Sequence, residues 1–113
     1  MMLNFWRARG LVLALLLVTC SWGVASAAPP GQAHEVTISG MKYQSDVITV
    51  HVGDTVQWKN SDVVPHTATA TDGSFSSVKI SPGGTWKFVA KKLGTFPYIC
   101  TPHPNMHGTL IVE

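Results

Sequence analysis

Apolar residues in this chain recur at every second position rather than every third or fourth, and any fold it adopts must satisfy that period. Val56 and Trp58 alternate with Thr55, Gln57 and Lys59, Trp86 and Phe88 flank Lys87, and in VITVHV the residues Ile48, Val50 and Val52 face away from Thr49 and His51. Successive side chains of an extended strand point to opposite faces, so each run reads as a half-buried strand. Turn-forming residues separate the runs: Gly40, Gly53-Asp54, Asp72-Gly73, Ser81 to Gly84, and Gly94. The pattern predicts strands near 34–39, 47–52, 55–60, 66–70, 75–80, 84–90, 94–100 and 108–113, with no helix of ten residues, no repeat and no second domain. Short strands at this spacing argue for an all-β sandwich of about eight strands. Pro97 is a misfit, because it removes a ladder donor from what should be an interior strand; a bulge or an unpaired position is expected there.

The first residues obey a different rule. Arg7 and Arg9 precede the apolar run Leu11 to Thr19, and Ala25-Ser26-Ala27 is a small-x-small site. This is the pattern of a secretory signal peptide, residues 1–27, cut after Ala27. A membrane-spanning helix needs about 20 apolar residues and this run is shorter. A lipidated Cys20 is a further reading, since Leu17 to Cys20 loosely resembles a lipobox, although Thr19 stands where a smaller residue is expected. Residues 28–113 then form a single exported domain, periplasmic in location and without a membrane span.

Within that domain Lys42, Lys59, Lys79, Lys87, Lys91 and Lys92 face Glu35, Asp46, Asp54, Asp62, Asp72 and Glu113, so it is formally neutral. Nothing in this balance suggests a nucleic-acid partner. Cys20 leaves with the signal and Cys100 remains alone, so no internal disulfide can form. A small exported domain usually gains stability from disulfides. A bound metal would both occupy a lone thiolate and contribute folding free energy.

The stretch CTPHPNMHG, Cys100 to Gly108, supplies the donors. It joins the strand GTFPYIC, with Phe96, Tyr98 and Cys100 on one face, to the strand GTLIVE. Cys100, His103 and Met106 are spaced by three, and Pro102 and Pro104 restrict the backbone around His103, lowering the entropy lost in holding it. His66, after Pro65, is the plausible fourth donor from a second loop at the same end. Two imidazoles and a thiolate with a weak axial thioether describe a type 1 copper site. Structural zinc sites are typically closed by Cys or His instead. Taken singly, Met106 reads as core filler and Cys100 as a small buried hydrophobe; at this spacing they read as ligands. His34 and His51 read as ordinary surface residues. His107 should point away from the side Met106 faces and is also read as surface.

At MKY, VGDTVQWKN, VPH, GTFPYICTPHPNM and HGTLIVE the chain resembles the cupredoxins, from about Met41 to Glu113. The resemblance implies a Greek-key sandwich with His66, Cys100, His103 and Met106 holding one type 1 copper ion, and Asn60 tying the two ligand loops together. It departs from the family in Asn105, where an aromatic residue is usual, and in His107, where a more basic one is. The expected function is that of a one-electron carrier, not an enzyme, cycling Cu(II) and Cu(I) as a monomer. Its expected partners are redox proteins, a dehydrogenase or a c-type cytochrome or both, docking transiently near His103. The alternative is a copper storage or delivery protein, although such proteins commonly expose several Met or Cys ligands and this domain has only Met41 and Met106. The His-x-His pairs of multicopper enzymes do not occur.

Overall fold

The structure, a computed structural model, describes residues 22, 23 and 31–113. Apart from Trp22 and Gly23, the expected signal segment, its cleavage position and Cys20 lie outside the described residues. Among the described residues no helix is long and apolar enough to cross a membrane.

The alternating runs become β1 (Ala33–Ser39), β3 (Val47–Val50), β4 (Thr55–Asn60), β6 (Thr85–Val89), β7 (Gly94–Ile99) and β8 (His107–Val112), joined by the short β2 (Lys42–Tyr43) and β5 (Thr69–Ala70). They form two four-stranded sheets, in the orders β2-β1-β4-β6 and β3-β8-β7-β5. Each sheet has one parallel pair, β1 with β4 and β3 with β8, and is otherwise antiparallel. The inward faces are those the alternation selects: Val36, Ile38, Val56 and Trp58 from one sheet, and Val50, Phe96, Tyr98, Leu110 and Val112 from the other. Trp58 spans the interior, edge-on to Tyr98 with ring centroids 5.5 Å apart and tilted against Phe75 at 5.7 Å. Aromatic rings of this size fill the space between two sheets with few residues.

Four expectations need correction. The strand expected at 75–80 is absent; this stretch forms only the isolated bridges Thr69↔Ser76 and His66↔Ile80. There the Ser77 hydroxyl takes the Ala68 N–H at 2.8 Å, so a side chain stands in for part of a ladder. The strand expected at 66–70 shrinks to Thr69–Ala70 for the same reason, and β2, two residues long, is too short to show any alternation. Val52 lies past the end of β3 and is exposed. His34 is half-buried rather than an ordinary surface residue, with Nε2 2.9 Å from Asp54 Oδ2.

Pro97 makes no bulge. β7 and β8 keep an unbroken register through Pro97↔Thr109. The Pro97 carbonyl faces the other neighbour, where it accepts the Thr71 N–H at 2.9 Å, just beyond the end of β5. In a strand the nitrogen and carbonyl of one residue face the same side, so the missing donor points to the place where β5 has already stopped.

Candidate metal centre

β4, β7 and β8 bring their ends to one pole of the sandwich. The loop after β4 carries His66, and the connection from β7 to β8 carries Cys100, His103 and Met106. That connection folds on itself through three backbone hydrogen bonds: His103 N–H to Cys100 O (3.2 Å), Met106 N–H to His103 O (2.9 Å), and Cys100 N–H to Met106 O (3.3 Å). These turns put residues three apart on one side, which is the arrangement the spacing predicted.

His66, Cys100 and His103 offer ligand atoms that all lie within 4.8 Å of one another, the one such group among the described residues. Cys100 Sγ stands 3.6 Å from His66 Nδ1 and 3.7 Å from His103 Nδ1. Two donors each about 2.0–2.3 Å from a shared ion, at trigonal or tetrahedral angles, stand about 3.5–3.7 Å apart. The spacing therefore fits a single ion between them. His66 and Cys100 are fully buried, Met106 is buried in the same core cluster, and His103 is half-buried. The two imidazole rings are 5.0 Å apart and tilted. His107 is exposed while Met106 beside it is buried, and His51 is exposed as expected.

The residues around the donors decide how each is held. The Thr67 N–H donates to Cys100 Sγ at 3.3 Å, and Thr67 Oγ1 accepts the Thr101 N–H at 2.9 Å. Thr67 thus joins the two ligand loops, the task the resemblance assigns to Asn60. Asn60 serves only one of them: its side chain donates to Val64 O (2.8 Å) and Ile80 O (2.9 Å) and accepts the Asp62 N–H (2.9 Å). It is fully buried and shapes the loop that presents His66. Tyr43, in the short β2, donates its hydroxyl to Thr67 O beneath the site. Burial pushes its phenol far up, and the nearby Cys100 adds to that.

Asp62 was not among the residues expected to matter. Its Oδ2 lies 2.8 Å from His66 Nε2, and its carboxylate also accepts the Gly40 and Met41 N–H groups. The Met41 N–H is the largest cause holding this carboxyl below its usual range, with the Gly40 N–H and His66 adding to it. An ionised carboxylate can only accept, so Nε2 carries the ring proton and Nδ1 keeps its lone pair toward Cys100. The sequence signal for Asp62 is its place four residues before a candidate ligand. Thr67 had only its adjacency to His66.

Residues 10–112 match the family described as Cupredoxin-like domain. Amicyanin of Paracoccus versutus is 34% identical over 103 residues, covering 87% of this chain and 78% of the relative. Amicyanin-alpha of Methylorubrum extorquens is 32% identical over 89 residues, covering 74% of this chain and 75% of the relative. The crystal structure of Paracoccus versutus amicyanin superposes with a TM-score of 0.66 at 33% identity, covering 75% of this chain and 85% of that one. A methionine-to-alanine mutant of amicyanin in its Cu(I) form gives a TM-score of 0.68 at 31% identity, covering 72% and 82%.

Proposed function

Because this chain belongs to the cupredoxin-like family, we propose that His66, Cys100, His103 and Met106 hold one copper ion and that the protein is a one-electron carrier rather than an enzyme. The observation that supports this most directly is the convergence of one cysteine sulfur and two imidazole donors within 4.8 Å of one another, with a buried thioether in the core cluster that holds Cys100. Bound there, copper supplies a one-electron Cu(II)/Cu(I) couple. The chain's part is to supply sulfur donors suited to the reduced ion and imidazoles suited to the oxidised one. It also keeps both sets in place, so that little has to move when an electron arrives or leaves.

Each surrounding contact has a consequence for that task. The N–H of Thr67 on Cys100 Sγ stabilises negative charge on the sulfur and limits how much of it reaches the metal. Burial of Cys100 and His66 excludes water and protects the thiolate from oxidation. His103 is the half-buried member, and its ring edge is the exit for the electron. Pro102 and Pro104, both exposed on either side of it, offer a small apolar docking patch suited to brief redox encounters.

The near-neutral charge of residues 28–113 makes encounter depend on this patch more than on long-range steering. Arg7, Arg9, the apolar run and the Ala25-Ser26-Ala27 site support export to the periplasm. There the protein would act as a monomer, exchanging electrons with redox proteins, a dehydrogenase or a c-type cytochrome or both.

The visible spectrum of the copper-loaded domain tests this reading. An intense blue band that bleaches on reduction and is lost in Cys100→Ala is expected; a colourless copper protein, or a band that survives that substitution, would overturn it.

A further inference from the structure

We infer that Asp62 is a positioning residue for His66, one that fixes the ring's tautomer and biases the metal site toward the oxidised ion. The inference rests on the copper reading above and concerns a residue outside the ligand set. Asp62 binds three partners at once. Oδ1 accepts the Gly40 N–H at 2.7 Å, and Oδ2 accepts the Met41 N–H at 3.0 Å and the His66 Nε2–H at 2.8 Å. Its own N–H is tied to Asn60 Oδ1 at 2.9 Å. With both oxygens engaged and its backbone anchored, the carboxylate has little freedom to rotate, and His66, fully buried, has none to turn away.

The backbone partners are as telling as the ring. Gly40 and Met41 both have φ of 60°, and Met41 is the one non-glycine residue with positive φ among the described residues. They are the two central residues of the turn joining β1 to β2, where Ser39 pairs with Lys42. Two successive positive φ values are what a tight hairpin turn of the primed type requires, and methionine adopts the second at a steric cost. Asp62 offsets that cost by accepting both N–H groups. One carboxylate therefore holds a strained turn and a metal ligand in fixed relation.

A carboxylate on the far nitrogen of a ligating imidazole makes the near nitrogen a stronger donor and places negative charge close to the ion. Both effects favour the more highly charged Cu(II). Removing the charge while keeping the shape should shift the site toward Cu(I).

The test compares reduction potentials of copper-loaded wild type, Asp62→Asn and Asp54→Asn at one pH and ionic strength. Asp54 is the other carboxylate paired to a histidine, but it precedes β4 at the end away from the site and so controls for loss of charge alone. The expected result is a preference for Cu(I) over Cu(II) raised about tenfold in Asp62→Asn, about 59 mV for a one-electron couple, with Asp54→Asn unmoved. A change below about twofold in Asp62→Asn, or an equal shift in both variants, overturns the proposal. A merely structural role would lower thermal stability without moving the potential.

Should Asp62→Asn fail to fold, nitrogen-15 shifts of the His66 ring in the wild-type Cu(I) protein test the hydrogen bond through which Asp62 would act. A slowly exchanging proton on Nε2 supports the assignment; a rapidly exchanging Nε2 proton overturns it. A wild type that shows no blue band removes the copper premise itself, and that outcome is distinguishable from an Asp62 without effect.

Discussion

Thr67 does two things with two different atoms, and one substitution separates them. Its N–H reaches Cys100 Sγ, which any residue but proline retains, while Oγ1 accepts the Thr101 N–H and lies 3.0 Å from Thr69 Oγ1. Thr67→Val keeps the shape and the bond to sulfur but leaves the Thr101 donor without its partner. A loss of about 1–2 kcal/mol is expected, read as a lower unfolding midpoint of the copper-loaded protein with the blue band retained; an unchanged midpoint would show that Oγ1 ties nothing. Neither contact could be read from a lone threonine. Cys100, by contrast, was legible as a candidate ligand, because its chemistry and its spacing to His103 and Met106 are local properties.

Between elements, Tyr98 of β7 lies tightly over Gly108 of β8, with which it is directly paired. A Cβ at Gly108 would stand 2.2 Å from Tyr98 Cζ. The ring cannot step aside, since Tyr43, Trp58 and Phe75 enclose it with centroids 4.7, 5.5 and 5.8 Å away. Gly108→Ala should therefore cost about 1–3 kcal/mol through overpacking, measurable as a lower urea midpoint; a neutral result would mean that the two strands can part without loss.

At the opposite end of β4, Asp54 fastens the start of β1. It accepts the Gln32 and His51 N–H groups at 2.8 and 2.9 Å and pairs with His34 at 2.9 Å. The His51 N–H first, then His34, holds its carboxyl down to about 2 from an ordinary 3.8. Because the folded value is the lower one, the stabilisation is fully present above the unfolded value and is lost as pH falls through the folded one. Thermal midpoints should drop as pH falls from 3.8 toward 2, and the drop should be shallower in Asp54→Asn; equal slopes in both proteins would remove Asp54 from the account. The sequence predicted a strand at 34–39, but nothing local showed what holds its first residues, since the partner lies 20 positions away.

For the molecule as a whole, the donors come from two loops leaving different sheets: His66 follows β4, and the other three lie between β7 and β8. An ion held by all four would pin the sheets together at one pole. A metal at a thousandfold excess over its dissociation constant adds about 4 kcal/mol to stability. Copper removal by a chelator should accordingly lower the unfolding midpoint of the wild type and leave that of Cys100→Ala unchanged; equal midpoints for loaded and stripped wild type would deny the ion any part in holding the sandwich.

What the sequence by itself determined is what short-range order can encode. The period-two runs specified two half-buried sheets, glycines and prolines marked the turns, and a lone thiol three residues from an imidazole and six from a thioether specified a metal-binding loop. What only the tertiary structure decided are contacts between residues distant along the chain: which nitrogen of His66 faces Cys100, the joining of the ligand loops by Thr67 rather than Asn60, and the grip of Asp62 on the turn at Gly40 and Met41. These depend on how two sheets are stacked and registered, and hydrogen bonds of that kind leave no periodic trace in a sequence.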